Sequence, residues 1–433
     1  MIIIKDPLYG YVKFEDNLSL IFDSPVFQRL RRIKQVFGSD FVYPSANHTR
    51  FEHSLGVGYL AGKVADHLKR LLDVSGEEKI DREDKLSLIL AGLLHDIGHG
   101  PFSHAFEGFL SRLEMNHEDF GRRIINEILA DRIEKLGLDP SFIAELAAGY
   151  ELNKAIDRPF MKQIIGSAID VDKLDYLRRD SYHAGTFYGL IDVDRIIMHL
   201  RVFDKQLCVD EKAREVLESM LMGRGLAFEA IYYHKTSRSA QILIDKAINA
   251  SADDLNLYEI KDDLNKYISL DDYSMWYLLL KNPKSKEYVE MLASRKLLKV
   301  AWEITGIADQ KTRNVMNWLI NPKVRNELEE IIAEEANVDR KYVAIDVPSL
   351  PNIPYRHWIG REDRPMEIPI LTSADGELKI IPLRNISQFA RAMEGYFYAI
   401  RVYTLDKFRM RVKEATTKIM RESAHINPEN MFV

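Results

Sequence analysis

The chain has 433 residues, and its 60 Lys and Arg against 66 Asp and Glu give a formal net charge of −6. A composition that is 46% hydrophobic and 29% charged excludes a disordered chain, and the mild acidity argues against nucleic-acid binding by bulk charge. Because no apolar stretch approaches about 18 residues and Cys208 is the single cysteine, we expect a cytoplasmic protein without membrane spans or disulfides.

Histidines are concentrated in the first third of the chain, where imidazole chemistry is therefore expected. Seven of the twelve are His48, His53, His67, His95, His99, His104 and His117. Leucine and isoleucine recur at spacings of three and four over residues 84–94, which predicts an amphipathic or buried helix. Two glycines and a proline that starts the next helix follow within residues 98–101. His95 and Asp96 are therefore predicted at a helix end.

Helical periodicity dominates the rest of the chain up to about residue 335. A second informative helix is predicted over residues 163–182, and residues 285–304 form another long helical pattern. We assign residues 1–340 to a helical body, with a candidate metal site within residues 50–183.

The pattern changes after residue 340. Residues 343–383 carry prolines and the β-branched runs MEIPIL and ELKIIPL, separated by the turn signal Asp375-Gly376. A final helical stretch over about 385–422 is basic, and we expect it to be a solvated helix face or a subunit contact, with nucleic-acid contact as a weaker alternative. Its basic residues are Arg401, Lys407, Arg409, Arg411, Lys413, Lys418 and Arg421. The sequence therefore predicts a mainly α fold with a smaller α+β region over 341–433.

Four residues form the candidate metal site: His53, the dipeptide His95-Asp96, and Asp172. A histidine followed directly by an aspartate at a helix end can direct two ligand types into one small volume. Two imidazoles and two carboxylates suit a divalent transition metal and leave coordination positions for water and substrate. Such a metal makes hydroxide available at neutral pH.

Further histidines surround this pair in the segment LLHDIGHGPFSH. His99 and His104 follow within nine residues of His95, and His117 lies in NHEDF. A structural core seldom needs four imidazoles so close together, because each buried one requires a hydrogen-bond partner. An active site uses them as general acid and as phosphate ligands.

The helix predicted over 163–182 adds a second set of polar residues. Asp172, Tyr176 and Asp180 are spaced at i, i+4 and i+8 and therefore share one face, with Lys173 beside them. A carboxylate for a metal, a lysine for phosphate and a tyrosine for a sugar or base together indicate a nucleotide site.

Ordered motifs along the chain resemble one enzyme family. They are KDPLYGYVKF, SPVFQRLRRIKQ (24–35), RFEHSLGVGYLAG (50–62), GLLHDIGHGPFSHAFEG (92–108), NHEDF (116–120) and IDVDKLDYLRRDSYHAG (169–185). These segments resemble the HD-domain phosphohydrolases, and more narrowly their deoxynucleoside triphosphate triphosphohydrolase branch, which includes bacterial dGTPases and the vertebrate sterile-alpha-motif/HD-domain restriction factor. The resemblance is continuous over about residues 5–310, weaker at 385–420, and implies an HD-domain helical fold.

The resemblance also implies a reaction and its residues. A dNTP would be cut at the α-phosphorus, which gives a deoxynucleoside and intact triphosphate. The implied metal ligands are His53, His95, Asp96 and Asp172. The implied catalytic residues are His104, which protonates the leaving 5′ oxygen, its supports Glu107 and His117, and His99 at the α-phosphate. The implied substrate contacts are Arg50, Lys173 and Arg224 on the phosphates, Gln35 and Tyr176 on the sugar edge, Asp180 at the 3′-OH, and Tyr232 near the base.

Many members of the family are tetramers whose interfaces bind guanine nucleotides and dNTPs as activators. The matching positions here are Asp23, Gln28 and Arg31 for guanine, Phe51 for stacking, the pair Arg295 and Lys299, one helical turn apart, for phosphate, and His234 and Lys235 for a dNTP effector. Three positions depart from the family: Ile2 replaces a lysine, Asp210 an arginine and Tyr233 a glutamine. We therefore expect a homo-oligomer, tetramer or dimer, with an effector site whose ligands need not be the usual pair.

Two other functions remain open. An HD phosphohydrolase could act instead on nucleoside monophosphates or on phosphodiesters, and a protein that has lost catalysis could serve as a nucleotide sensor or bind nucleic acid. The complete ligand set and the lysine and arginines favour the triphosphohydrolase. Iron, manganese, zinc, nickel or cobalt would suit the metal site, and Mg²⁺ would accompany the nucleotide phosphates.

Overall fold

The computed structural model of the protein describes most of the chain. The described ranges are residues 1–75, 78–148, 157–307, 316, 318–319, 321–351, 367–374, 376–393 and 396–426. The turn predicted at Asp375-Gly376 includes Asp375, which lies outside these ranges.

The described helices account for most of the structure, which is 61% helical. The α-helices are α1 (Ser19–Phe22), α2 (Pro25–Gln28), α3 (Arg50–Ser75), α4 (Arg82–Leu94), α5 (His104–Leu110), α6 (His117–Arg123), α7 (Ala130–Glu134), α8 (Pro140–Ala147), α9 (Pro159–Ile165), α10 (Val171–Ala184), α11 (Val193–Met198), α12 (Arg214–Ala227), α13 (Lys235–Ser251), α14 (Leu264–Ser269), α15 (Asp272–Lys281), α16 (Lys286–Ala293), α17 (Pro322–Glu335), α18 (Gln388–Ala392) and α19 (Arg409–Ile426). Short π-helical turns lie at Ile124–Ile128 and Phe228–Tyr232. The prediction of a mainly α fold is confirmed.

The described strands form a hairpin and two small sheets. The strands are β1 (Ile2–Asp6), β2 (Gly10–Phe14), β3 (Leu200–Phe203), β4 (Gln206–Asp210), β5 (Lys299–Ile307), β6 (Ala344–Asp346), β7 (Ser349–Pro351), β8 (Pro369–Ala374), β9 (Glu377–Pro382) and β10 (Tyr396–Thr404). β1 and β2 pair as an antiparallel hairpin, and β10 pairs with β5, β6 and β7. The other sheet has the order β3-β4-β8-β9, with β4 and β8 parallel.

Both four-stranded sheets join segments from the two sides of residue 340. β5 pairs with β10, and a second hydrophobic core collects side chains from Ala301 to Ile419. The main core is formed mostly by earlier residues, but it also includes residues after 340, such as Ile370 and Tyr403. The proposed division of the chain at residue 340 stays a prediction. Among the described residues, no helix is both long and apolar enough to cross a membrane.

The helix predicted over 84–94 is confirmed as α4, which begins with a capping box between Asp81 and Asp84. His95 is its C-cap residue, as predicted. The next helix begins at His104 and not at the predicted proline, because Phe102 and Ser103 have φ values of 60° and 53°, outside the helical region.

The single helix predicted over 163–182 is wrong, because two helices with a break between them occupy this segment. Asp170 accounts for the break: its carboxylate accepts hydrogen bonds from the backbone N–H of Ser167 at 2.9 Å and of Lys173 at 2.7 Å. One side chain thereby ties down the connecting turn and caps α10. Asp172, Tyr176 and Asp180 all lie within α10, so their shared face is retained.

The continuous helix predicted over 285–304 is also wrong. α16 ends at Ala293, where Lys296 N donates to Met291 O at 2.8 Å and Arg295 adopts a φ of 54°, the pattern of a helix C-terminus. Lys299 then begins β5. Arg295 and Lys299 are therefore not one helical turn apart.

The helical stretch predicted over 385–422 contains the central strand β10. Arg401 lies in that strand, donating through Nε to Glu303 Oε1 and through Nη1 to Tyr233 O, each at 2.5 Å. Arg401 is therefore a buried sheet residue and not part of a solvated basic helix face. The aromatic and β-branched run YFYAIRVYT forms a strand because β5 offers a long antiparallel partner.

Candidate active site

A close approach between α3 and α4 creates the centre of the site. A Cβ on Gly92 would lie only 3.1 Å from the Cα of Gly58, so the two backbones pack almost directly against each other. His53 of α3 and His95 at the end of α4 consequently face each other, with their Nε2 atoms 3.1 Å apart. The first turn of α10 brings Asp172 Oδ1 to 3.0 Å from His53 Nε2.

The protons on these two imidazoles are fixed by their Nδ1 partners. His95 Nδ1 lies 2.8 Å from Gly92 O, which can only accept, so this nitrogen donates. His53 Nδ1 donates to Asp175 Oδ2 at 2.8 Å. Although burial favours the neutral acid, Arg179 and the bond from His53 hold the pKa of Asp175 well below its usual range. Both Nε2 atoms therefore converge on one point, where each offers a lone pair once its imidazole is neutral.

Such convergence of acceptors fits a metal ion. The ligand atoms of His53, His95 and Asp172 lie within 4.8 Å of one another. The carboxylate of Asp96 lies 3.5 Å from His95 Nε2 and 3.8 Å from His53 Nε2. Burial lowers the pKa of His53, yet its bonds to Asp172 and Asp175 raise it to about 10, so the set strongly attracts positive charge. A divalent ion would compete with that proton, and His53, His95 and Asp172 could hold it, with the carboxylate of Asp96 beside them.

A second group of side chains adjoins the metal ligands. The rings of His99 and His117 are tilted against each other with their centroids 3.9 Å apart, and the rings of His99 and His104 are 5.5 Å apart. His117 Nδ1 donates to Glu107 Oε1 at 2.9 Å. Burial lowers the pKa of His117, but Glu107 more than offsets this and raises it. His99, Glu107 and His117 could themselves surround a cation, but the bond between Glu107 and His117 fits a proton-handling pair better.

Two buried cationic or polar groups in this region have atoms free to bind an anion. His99 is 2% exposed, and within the described ranges neither of its ring nitrogens makes a hydrogen bond, although Nδ1 lies 3.3 Å from Asp96 Oδ1. Arg50 donates to Ser103 Oγ at 2.7 Å and to Asp96 Oδ2 at 2.5 Å, while its Nη2 is buried without a partner among the described residues. Unsatisfied buried donors are costly, so both groups indicate a ligand.

His104 differs from its neighbours because it is exposed. The surrounding protein nevertheless desolvates it, and the positive charges of Arg50 and His117 act in the same direction. Together they lower the pKa of His104 to about 4.

Four of the predicted substrate residues form two hydrogen-bonded pairs, which meet where the rings of Tyr176 and Tyr232 are in contact. Tyr232, at the end of a π-helical turn, donates to Asp180 Oδ2 at 2.5 Å, and its ring lies 6.3 Å from that of Tyr176. Arg224 donates through Nη1 to the Tyr176 hydroxyl at 2.8 Å. Asp180 Oδ1 accepts from His48 Nε2 at 2.7 Å.

Gln35 and Lys173 are the remaining substrate candidates, and each is buried. Gln35 is 8% exposed, and its backbone N–H donates to His48 O at 3.0 Å. Lys173 is buried and donates to Asp170 Oδ2 at 2.7 Å, so its charge is partly neutralised before any phosphate arrives.

Three of the guanine-binding candidates form one cluster, in which Phe51 is buried and Arg31 is exposed. The guanidinium of Arg31 lies 3.6 Å from the centroid of the Phe51 ring, and Arg31 Nε donates to Gln28 Oε1 at 2.8 Å. Asp23 lies exposed at the end of α1. The structure thus brings the side chains of Gln28, Arg31 and Phe51 into contact.

The remaining effector candidates lie elsewhere. Arg295 donates to Phe41 O at 3.2 Å, and Lys299 is exposed at the start of β5. His234 caps α13 by accepting from a backbone N–H, and Lys235 beside it is exposed. The effector roles of all these residues stay predictions.

The sequence reasoning missed three residues that organise the site. Asp175 orients His53, His48 holds Asp180, and Asp272 accepts hydrogen bonds from two backbone segments. Asp175 could have been found, since it lies one turn after Asp172 and four residues before Arg179, which is ion-pair spacing. His48 and Asp272 act across the fold and leave no local pattern.

Two protein-family models match the chain. One, described as the HD domain, covers residues 50–180, and the other, described as the HD associated region, covers residues 191–425, more than half of the chain. The protein belongs to the HD-domain family. The HD-domain match contains all four predicted metal ligands, and the resemblance seen in the sequence is confirmed.

Several curated proteins are similar to this HD-domain protein. It is 34% identical over 310 residues to the deoxynucleoside triphosphate triphosphohydrolase SAMHD1 homolog of Dictyostelium discoideum, covering 69% of this chain and 57% of that protein. The identity to deoxynucleoside triphosphate triphosphohydrolase SAMHD1 of Homo sapiens is 35% over 335 residues, covering 67% and 53%. The identity to the uncharacterized protein YwfO of Bacillus subtilis is 30% over 410 residues, covering 87% and 86%. The chain thus spans little more than half the length of the two triphosphohydrolases.

Proposed function

We propose that the protein is a metal-dependent triphosphohydrolase that converts a dNTP to a deoxynucleoside and inorganic triphosphate. The observation that carries the proposal is the convergence of the Nε2 atoms of His53 and His95 with two carboxylates, beside unsatisfied donors of Arg50 and His99. The names of the two triphosphohydrolases support the same reaction class.

The metal ligands in this proposal are His53, His95, Asp96 and Asp172. When bound, a divalent ion lowers the pKa of water and offsets phosphate charge. Iron, manganese, zinc, nickel and cobalt all suit two imidazoles and two carboxylates, and Mg²⁺ would accompany the outer phosphates. Asp175 keeps the His53 imidazole in the tautomer that leaves Nε2 available.

The phosphates would meet a line of donors. His99 and Arg50 lie next to Asp96 and would bind near the α-phosphate, where both have unsatisfied nitrogen atoms. Lys173 and Arg224 would serve the outer phosphates. A triphosphate carries about four negative charges, so several cations are required to offset its repulsion.

His104 would transfer a proton to the leaving 5′ oxygen. Attack of water at the α-phosphorus forms one P–O bond while the bond to the 5′ oxygen breaks, and the proton from His104 completes the deoxynucleoside. The Glu107–His117 pair adjoins His104 and would return a proton to it between turnovers.

The sugar would lie between Tyr176 and the carboxylate of Asp180, with Gln35 on its edge. Packing of the deoxyribose against the Tyr176 ring leaves no space for a 2′-OH in this proposal, so ribonucleotides are rejected. Tyr232 and Tyr233 would lie near the base, and Tyr233 replaces the glutamine of the family at that position.

A homo-oligomer, dimer or tetramer, with a nucleotide effector at its interfaces is the regulatory part of the proposal. The contact of Arg31 with Phe51 and Gln28 supports a guanine-binding role for this cluster. Replacement of Arg31 with Ala should reduce activation by GTP more than basal turnover; an equal loss of both would make Arg31 merely structural.

Anion-exchange analysis of products tests the proposed reaction. The purified protein is incubated with Mn²⁺ or Mg²⁺ and each dNTP, with and without GTP or a second dNTP, beside an Asp96→Ala variant as the metal-site control. Release of deoxynucleoside and intact triphosphate by the unchanged protein alone would support the reaction. Monophosphate plus pyrophosphate, or activity only on dNMPs or phosphodiesters, would indicate the alternative HD hydrolases, and no turnover with any metal would indicate a sensor.

A further inference from the structure

A strained turn lies directly before the proposed acid. Phe102 and Ser103 have φ values of 60° and 53°, and His104 follows as the first residue of α5. Two consecutive non-glycine residues with positive φ are uncommon, and such a turn persists only where its surroundings hold it. The direction in which α5 starts, and with it the place of His104, therefore depends on what holds this turn.

The carboxylate of Asp272 holds it. Asp272 is the first residue of α15 and is 9% exposed. Its Oδ1 accepts the backbone N–H of Phe102 at 2.6 Å, and its Oδ2 accepts the backbone N–H of Lys34 at 3.0 Å. One buried side chain thereby fixes two segments that are far apart in the sequence.

Ser103 closes the connection between those segments. Its hydroxyl donates to Lys34 O at 2.6 Å and accepts from Arg50 Nε at 2.7 Å. Because a hydroxyl has a single proton to donate, this arrangement leaves Ser103 little freedom. Arg50 continues to Asp96, so the turn is linked to the proposed phosphate and metal residues.

The neighbouring Asp271 makes a different set of contacts. It caps α15 by accepting Ser274 N at 2.8 Å, and it pairs with Arg32 at 2.5 Å. The capping of α15 is therefore already provided by Asp271, and the carboxylate of Asp272 is directed at the turn.

We propose that Asp272 is a positioning residue for the proton-transfer step, because it sets the turn from which His104 faces the leaving oxygen. This role rests on the proposed function. Asp272 touches no reacting atom: His104 gives the proton to the 5′ oxygen as the bond from that oxygen to phosphorus breaks, and Asp272 acts through the peptide of Phe102.

Asp272→Asn and Asp271→Asn form a matched pair for the test. Asn at position 272 would place an NH₂ group against one of two backbone donors, whereas Asp271 is comparably buried at 6% exposed and does not touch the turn. Each variant is assayed with a dNTP and with its analogue in which sulfur replaces the bridging 5′ oxygen, a leaving group that needs no proton. Thermal unfolding verifies folding, and if Asp272→Asn does not fold, Asp272→Glu replaces it.

The expected result is a loss of kcat on the dNTP of about 10²-fold for Asp272→Asn, since a small misplacement of a catalytic group has about that effect. The loss on the sulfur analogue should be much smaller, KM should change little, and Asp271→Asn should retain kcat. Equal losses on both substrates, or an equal loss in Asp271→Asn, would overturn the positioning role. If the unchanged protein releases no triphosphate from any dNTP, the proposed function itself fails, a result distinct from these.

Hydrogen exchange gives a readout that needs no substrate. The amide of Phe102 or that of Lys34 should exchange faster in Asp272→Asn than in Asp271→Asn, because Asn has a single oxygen to accept from these two donors. Equal protection of both amides in the two variants would overturn the claim that Asp272 holds the turn.

Discussion

Replacement of Gly56 with Ala tests whether packing beside the proposed metal ligands outweighs the higher helix propensity of alanine. Gly56 lies on α3, three residues after His53, and α10 crosses close to it. A Cβ at this position would overlap Asp175 Oδ1 and lie 2.6 Å from Asp175 Cγ and 2.5 Å from Arg179 Nη2. Asp175 in turn fixes the His53 ring.

The two effects of this change have opposite signs. Ala in place of Gly inside a helix stabilises the folded protein by about 1 kcal/mol. Overpacking costs about 1–3 kcal/mol, and separation of a buried ion pair costs about 3–5 kcal/mol when one partner is left uncompensated. Asp175 and Arg179 are both completely buried and joined by two hydrogen bonds, at 2.8 and 2.9 Å. If these bonds are only partly lost, the net expectation is destabilisation by about 3 kcal/mol.

Denaturant unfolding of Gly56→Ala and of Gly62→Ala measures this difference. The control lies on the same helix, but its added Cβ would meet only the flexible end of Ile89, at 3.2 Å. The control should change the free energy of unfolding little, and Gly56→Ala should also lower the metal content measured after dialysis. A stabilised Gly56→Ala variant with normal metal content would refute the packing argument.

Three further predictions concern individual side chains. His104→Ala should keep metal content and dNTP affinity while turnover falls about 10²–10⁴-fold; a loss explained by affinity alone would make His104 a ligand and not the acid. His48→Gln should reduce the preference for a dNTP over its 3′-deoxy analogue about tenfold, the value of a bond to a charged group, and an unchanged preference in kcat/KM would contradict the role of His48 at the sugar. Glu107→Gln should lower the pKa of His117 in an NMR titration, because the carboxylate that offsets burial is removed. A raised histidine pKa stabilises the folded protein at low pH, and this stabilisation is lost as the pH rises through the folded-state pKa. The variant should therefore lose most stability below the usual histidine pKa.

Local patterns predicted the parts of the site that lie on one helix or one turn. The spacing of apolar residues predicted α4, and the glycines after it placed His95 and Asp96 at a helix end. The same reasoning failed over residues 285–304 and 385–422, because β5 and β10 stabilise each other across about a hundred positions of sequence. Because neither strand has its partner nearby in the sequence, apolar periodicity alone predicts a helix for each segment.

Local sequence patterns could not predict the residues that position the site through contacts across the fold. His48 meets Asp180 across 132 positions, and Asp272 meets Phe102 across 170. Nothing near His48 or Asp272 in the sequence distinguishes them from an ordinary polar residue at a turn or helix start. Their contribution follows only from the fold, which brings each of them against a residue that the motifs had already identified.

In the proposed reaction, the charges around His104 would favour a highly charged substrate over a nucleoside monophosphate. Desolvation together with the positive charges of Arg50 and His117 lowers the pKa of His104 to about 4, so in the free protein this imidazole is neutral at physiological pH and cannot donate a second proton. About four negative charges of a bound triphosphate would offset those cations and raise the pKa, whereas about two charges of a monophosphate would offset them less. In the proposed reaction, acid catalysis by His104 would thus depend on the charge of the substrate. The comparison of dNTP with dNMP in the product assay tests this dependence directly.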